Sequence, residues 1–334
     1  MTATTPPALT AAAVADAVRY ADTWLAARRR AFRVPGVQAA VWFDDALVLS
    51  TAHGVADERS GAPLTDQHLF RIASHSKTFT GTAILQLVEA GRLRLDDQAG
   101  TLLPFLAGTP VPTVTVREML THGSGIIRDG ADSDHWQLAR PFPDEATLRR
   151  IALDDAAVLP ANERFKYSNV AYSLLGLIVE AVSGRPYDQY VKDEVVARLG
   201  LTRTGPELDP ARLDEYAAGH GSLAYADQRV TIEHIDTAAM ASATGFFSTA
   251  AETVAYAAAH FAGDTRLLGE PAKRLMQRPE SEVGGDDGHY GLGFAVEDVG
   301  GRRMLGHGGG YPGHITRTRG FSADWPSPTR TRGS

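Results

Sequence analysis

Strand-like patterns stand at the two ends of this chain and helical periodicity fills what lies between, and that order limits the possible folds more than any single motif. GVQAAVWFDDALVLSTAHGVAD contains two β-rich runs, Val37 to Phe43 and Ala46 to Thr51, joined by Asp44 and Asp45 in the manner of a hairpin. YGLGFAVEDVGGRRMLGHGGG offers Tyr290 to Glu297, a turn at Gly300 and Gly301, and a second strand from Arg302 to Gly306. Ahead of the first hairpin, Val14, Val18, Ala21 and Leu25 recur at helical spacing between Leu9 and Arg30, closing on three arginines that suit a helix C-terminus. The simplest arrangement is an α+β fold: an antiparallel sheet flanked by helices, its strands drawn from residues 9–66 and 286–318, with a mainly helical region, 67–285, inserted between them. At 334 residues this is one domain with a large insertion or two domain-sized units.

Composition removes several functional classes. The chain is 43% apolar and 22% charged, and no apolar run approaches the roughly 18 residues of a membrane span. The N-terminal stretch lacks a positive n-region, which reads as cytoplasmic. Phosphate backbones need a concentrated basic surface, which a net charge of −7 argues against, so no nucleic-acid partner is expected. With no cysteine there is neither a disulfide nor a thiolate nucleophile, and the eleven histidines show no His-Glu-x-x-His spacing, so no metal or cofactor is expected. The Gly-x-Ser-x-Gly elbow of α/β-hydrolases is also absent.

One residue choice then stands out. Of thirty-three basic residues only four are lysine, yet lysine occupies position 77, three places after Ser74 in FRIASHSKTFTGTAILQLVEAG. Ala83, Ile84, Leu87 and Val88 give this segment a helical period and Gly91 a C-terminal stop, so Ser74 and Lys77 lie one turn apart on one face. A serine hydroxyl is a poor nucleophile until a base takes its proton. Lysine can be that base if burial lowers its pKa from about 10.4, whereas arginine stays protonated. The competing reading is a capping serine beside a solvated lysine, and a chance Ser-x-x-Lys arises in a chain of this composition with probability on the order of 20%.

A second segment, FKYSNVAYSLLGLIVEAVSG, places Tyr167 and Asn169 at a helix mouth. Ser168 serves as cap, Val170, Leu174, Ile178 and Val182 form the apolar stripe, and Gly184 ends it. A phenol and an amide held there can move a proton and contact a substrate, although a packed ring and a turn asparagine would look the same. In GHGGGYPGH, His307 ends a strand and precedes three glycines whose backbone can approach a ligand closely.

Together, in this order and setting, these motifs resemble the serine beta-lactamase-like, penicillin-recognising hydrolases, on the branch with class C beta-lactamases, esterases and D-aminopeptidases. The similarity runs from about Val34 to His314 and includes VREMLTHGSGI and ATGFFSTAAE. The resemblance implies that Ser74 is acylated, that Lys77 and Tyr167 share base and acid work, and that Asn169 contacts substrate or Lys77. It places His307 and Gly309 where many lactamases carry Lys-Thr-Gly, and assigns the oxyanion hole to the backbone amides of Ser74 and Gly310. Which of Lys77 and Tyr167 is the base in acylation stays open. A histidine at 307, mostly neutral at pH 7, favours a small ester, amide or peptide substrate over a beta-lactam, with a beta-lactamase or a non-catalytic remnant as alternatives. Residues 316–334, TRTRGFSADWPSPTRTRGS, contain no valine, leucine or isoleucine. They are expected to be disordered, at least from 319, where the family continues with two strands and a helix, so the chain reads as truncated with a sheet edge exposed.

Overall fold

Thr10 starts the first helix by accepting a hydrogen bond from the amide of Ala13, and helix α1 then runs Ala11–Ala31. The computed structural model describes residues 10–320 apart from 110, 157, 225, 226, 285–287 and 301, so Leu9 and the turn glycine Gly301 lie outside the described residues. Strands β1 (Gly36–Phe43) and β2 (Ala46–Asp57) pair antiparallel, and the turn works because Asp44 and Asp45 both take left-handed conformations, with φ of 50° and 57°. A short β3 (Ala62–Pro63) completes this sheet in the order β1-β2-β3, and α1 packs on β2.

The late strands form a second antiparallel sheet: β4 (Ser281–Glu282), β5 (Gly288–Tyr290), β6 (Ala295–Val299), β7 (Arg302–Tyr311) and β8 (His314–Gly320), ordered β8-β7-β6-β5-β4. The α+β class and the helical insertion are as the sequence implies. The detail differs in three ways. The strand expected over Tyr290 to Glu297 is broken at residues 291–294, where Gly293 takes φ +102° and the Leu292 amide donates to the Met276 carbonyl. β7 does not stop at Gly306, because Gly308, Gly309 and Gly310 face Arg317, Thr316 and Ile315 across an antiparallel ladder. Residues 316–320, expected to lack regular structure, supply most of β8, since threonine and arginine alternate there along one side of that ladder. The remainder of the expected disordered tail, 321–334, lies outside the described residues.

Among the described residues the two sheets share no ladder. Helix α4 (Ala250–Ala258) packs against both β1 and β8, and a groove lined by Gln38, Ala39, Thr253, Val254, Ile315 and Arg317 separates the two strands.

The core lies in the inserted region, around α2 (Ser76–Glu89) and α3 (Asn169–Ser183). Phe79 stacks between Phe246 and Tyr256, at ring separations of 4.2 and 3.7 Å. α2 is buried on nearly every side, so its hydroxyls need internal partners. Thr80 donates to the Ser242 carbonyl at 2.6 Å and Thr82 contacts Tyr256 and His260. On the segment between β5 and β6, the Leu292 carbonyl approaches Gly81 of α2 to a distance a methyl group would violate, 2.8 Å from an added Cβ. No helix among the described residues is long and apolar enough to cross a membrane.

Candidate active site

Ser74 sits in a single 3-10 turn, Ala73–His75, that leads directly into α2. The turn is forced into place from both sides. Upstream, Phe70 and Arg71 pair with Ser248 and Phe247, and the Ile72 amide donates to the Phe246 carbonyl. Ala73 takes φ +51°, a conformation that costs an alanine about 1 kcal/mol or more and turns the chain sharply into the helix. Downstream, the Ser76 hydroxyl donates to the Ala73 carbonyl at 2.6 Å, and His75 contacts Thr318 and Thr316 of β8 at 2.9 and 3.1 Å. α2 has His75 at its N-cap with no side-chain capping bond, so Ser74 is not a cap. Its side chain is left partly exposed.

Lys77 is completely buried rather than solvated. Its Nζ lies 2.7 Å from Asn169 Oδ1, 2.8 Å from the Ala243 carbonyl and 3.3 Å from Ser74 Oγ. Burial pushes its pKa well below the ordinary lysine value; Asp129 pulls the other way and Arg128 adds to the lowering. The Tyr167 ring lies over Nζ, 4.8 Å from its centroid. Burial raises the Tyr167 phenol, and a hydrogen bond with Ser74 partly offsets that. Ser168 caps α3 as its sequence implies, accepting from the Ala171 amide, which fixes Tyr167 just outside the helix and Asn169 as its first residue.

The structure therefore brings Ser74, Lys77, Tyr167 and Asn169 together. His307 is beside them but differs from its expected setting. It lies inside β7, is buried, and has both ring nitrogens occupied: Nδ1 donates to the Gly308 carbonyl at 2.6 Å, and Nε2 lies 2.8 Å from the Tyr290 hydroxyl. Burial, helped by His75 and Lys77, drives its pKa well down and keeps it neutral. β7 passes the Ser74 turn. Gly309 faces that turn so closely that an added Cβ would stand 2.3 Å from the Ile72 carbonyl, whereas at Gly310 it would meet nothing within 4 Å.

Sequence reasoning missed four contributors. His122, at φ +59°, accepts the Ser168 amide on Nδ1 at 3.1 Å, while its carbonyl accepts the Lys166 amide at 2.7 Å, so it brackets Tyr167. The Arg128 carbonyl receives the amides of Asn169 and Val170. Asp129 accepts from Asn169 Nδ2 at 2.6 Å. The Ala243 carbonyl comes from an irregular helical turn, Ala241–Gly245. His122 and Ala243 stand within the VREMLTHGSGI and ATGFFSTAAE segments, but a backbone carbonyl carries no residue signature and Asp129 lies three places beyond the first segment, so only His122 offered a side chain within a matched motif.

A serine-bearing turn running into a helix with a buried lysine, set between a helical region and an antiparallel sheet, is the arrangement of the serine beta-lactamase fold. A family model described as beta-lactamase matches residues 21–320, and the chain belongs to that family. It is 29% identical over 311 residues to penicillin-binding protein 4 of Amycolatopsis lactamdurans, covering 88% of this chain and 79% of that one. Penicillin-binding protein 4* of Bacillus subtilis is 27% identical over 280 residues, 79% of this chain, which spans 60% of that longer relative. Among solved structures SurE superposes with a TM-score of 0.77 at 29% identity, covering 91% of this chain and 70% of SurE, and SurE has also been solved with D-Leu.

Proposed function

We propose that this protein is a serine hydrolase that cleaves small esters or amides through an acyl-enzyme on Ser74. The observation that carries the reading is the contact set of Lys77: fully buried, with a lowered pKa, and within reach of the Ser74 hydroxyl. Lys77 takes the Ser74 proton as Oγ attacks the substrate carbonyl. The opposite shifts of Lys77 and Tyr167 support this division of labour, since a phenol held protonated is suited to give a proton rather than take one. Tyr167 passes a proton to the departing alkoxide or amine and recovers one from Lys77. Water then attacks the acyl-enzyme and gives its proton to the same pair, which passes a proton to Ser74 Oγ as it leaves, restoring the starting protonation states. The amides of Ser74 and Gly310 hold the tetrahedral oxyanion, a contribution of about 3–4 kcal/mol per donor in comparable sites.

His307, neutral and with both nitrogens engaged, offers no cation to the carboxylate of a beta-lactam, which supports esters and amides as the substrate class. The likeness to SurE, solved with D-Leu, puts D-amino-acid amides first among the amides. Labelling by a fluorophosphonate probe should be stoichiometric in the parent and absent in Ser74→Ala, which should also lose all turnover while keeping its melting temperature. A panel of p-nitrophenyl esters, D-amino acid anilides and a chromogenic cephalosporin should show turnover of the first two, with the cephalosporin slowest. Folded parent protein that does not label would remove the enzyme reading, and efficient cephalosporin hydrolysis with negligible esterase activity would reverse the substrate class.

A further inference from the structure

We infer that Asp129 is a positioning residue: it fixes which end of the Asn169 side-chain amide meets Lys77, and so aims the Lys77 lone pair at Ser74. The inference rests on the reading of Ser74 as nucleophile and Lys77 as its base. It begins from donor and acceptor counting. A carboxylate only accepts, so the Asn169 group 2.6 Å from Asp129 Oδ1 is the NH2 end, and the oxygen end is left to face Lys77 at 2.7 Å. Both side chains are buried, at 6% and 2% exposure, so no water competes for that choice. The second oxygen of Asp129 is held by Arg128 Nε at 3.1 Å.

The consequence falls on Nζ. A neutral lysine amine has two N–H bonds and one lone pair, and two of its three neighbours, Asn169 Oδ1 and the Ala243 carbonyl, are acceptors only. They take both N–H bonds. The lone pair is then directed to the third neighbour, the Ser74 hydroxyl at 3.3 Å, which is the proton it must receive. Without the carboxylate, the amide of Asn169 can turn over, since its oxygen and NH2 ends are nearly isosteric. An NH2 end facing Lys77 would occupy the lone pair and leave Ser74 without a base. Asp129 thus acts on the reaction without touching substrate.

Asp129→Asn tests this, because the new amide can offer Asn169 either end at unchanged volume. The remaining titratable groups around Lys77 are Arg128, Tyr167, Tyr172, His122 and His307; burial raises the two phenols and lowers the two imidazoles, so none of these four charges near neutrality. Asp129 is the group that favours the Lys77 proton. On a folded variant kcat/KM and the rate of fluorophosphonate labelling should fall 10- to 100-fold, mainly in kcat, and the acid limb of the kcat/KM profile should move to lower pH. The side-chain amide of Asn169, one of only two asparagines in the chain, should lose its carboxylate-bonded proton shift in a 15N-edited spectrum. Asp129→Glu, which keeps an acceptor-only partner, should recover part of the rate. Parent-like kinetics and an unmoved acid limb in Asp129→Asn would overturn the inference, as would a rate loss matched by lost stability with the amide signal unchanged. A parent that fails to label at Ser74 defeats the proposed function itself, whereas a labelled parent with an indifferent Asp129→Asn defeats only this step.

Discussion

Two of the four lysines in this chain are buried, Lys77 at 0% and Lys273 at 1% exposure, and their surroundings are built to opposite ends. Lys273 donates to the carbonyls of Phe261 and Asp264 at 2.7 and 2.6 Å and pairs with the Glu270 carboxylate at 2.5 Å. Three acceptors match the three donors of an ammonium, one of them carrying the counter-charge. Lys77 has two acceptors and a hydroxyl, and the nearest carboxylate is held one residue away, behind Asn169. Burial alone is therefore not what suits Lys77 to the proposed role of base. What distinguishes the two is whether the third position around Nζ is filled by a group that accepts a proton's charge or by one that can give up a proton.

The sharpest way to break the comparison is Lys77→Arg, which keeps the charge and removes the group able to deprotonate. kcat/KM should fall by a factor of about 100 or more in steady-state ester hydrolysis. Activity within a few-fold of the parent would make Lys77 a fixed charge like Lys273. Next in size, Tyr167→Phe should cost about 10- to 100-fold in kcat with the melting temperature nearly unchanged, since the ring still packs over Nζ. Equal loss of stability would mean the ring matters only for packing.

The pH profile sharpens the contrast further. The proposed mechanism needs neutral Lys77, whose fraction rises with pH, and its pKa is held well below the usual value of about 10.4, so kcat/KM should climb on the acid side and level off before pH 10. Tyr167, shifted upward, should cause no alkaline fall through pH 10. A single rise centred near the ordinary lysine value would contradict the burial argument. The smallest effect belongs to Lys273→Arg: catalysis per folded molecule should stay within about two-fold, with stability lowered by about 1–3 kcal/mol in denaturant titration because the carbonyls of Phe261 and Asp264 lose their fitted donor.

What could be read from the sequence was what is local. Gly91 and Gly184 end their helices in left-handed conformations at φ 67° and 71°, and Ser168 caps α3, because stops and caps depend on the residues beside them. Ser74 and Lys77 were legible for the same reason, being one turn apart. His307 was not, because a run of glycines reads as a loose exit until the partner strand that keeps it extended is known, and that partner is residues 314–320. Asp129 and the Ala243 carbonyl reach Asn169 and Lys77 across 40 and 166 positions of chain, a relation that no spacing rule encodes.

The hydrogen bonds between His75 and the hydroxyls of Thr316 and Thr318 tie the turn that presents Ser74 to β8, a strand with β7 as its only ladder partner among the described residues. Outer strands open more readily than the core they cover, and here opening would release the Ser74 turn while α2 and α3 stay packed. Loss of function on heating should then be an early, local and reversible event: turnover should decline several degrees below the cooperative loss of near-ultraviolet signal, and amide exchange in β8 should outpace that in α2 at every temperature. Coincident inactivation and melting would show instead that the latch and the core share one cooperative unit.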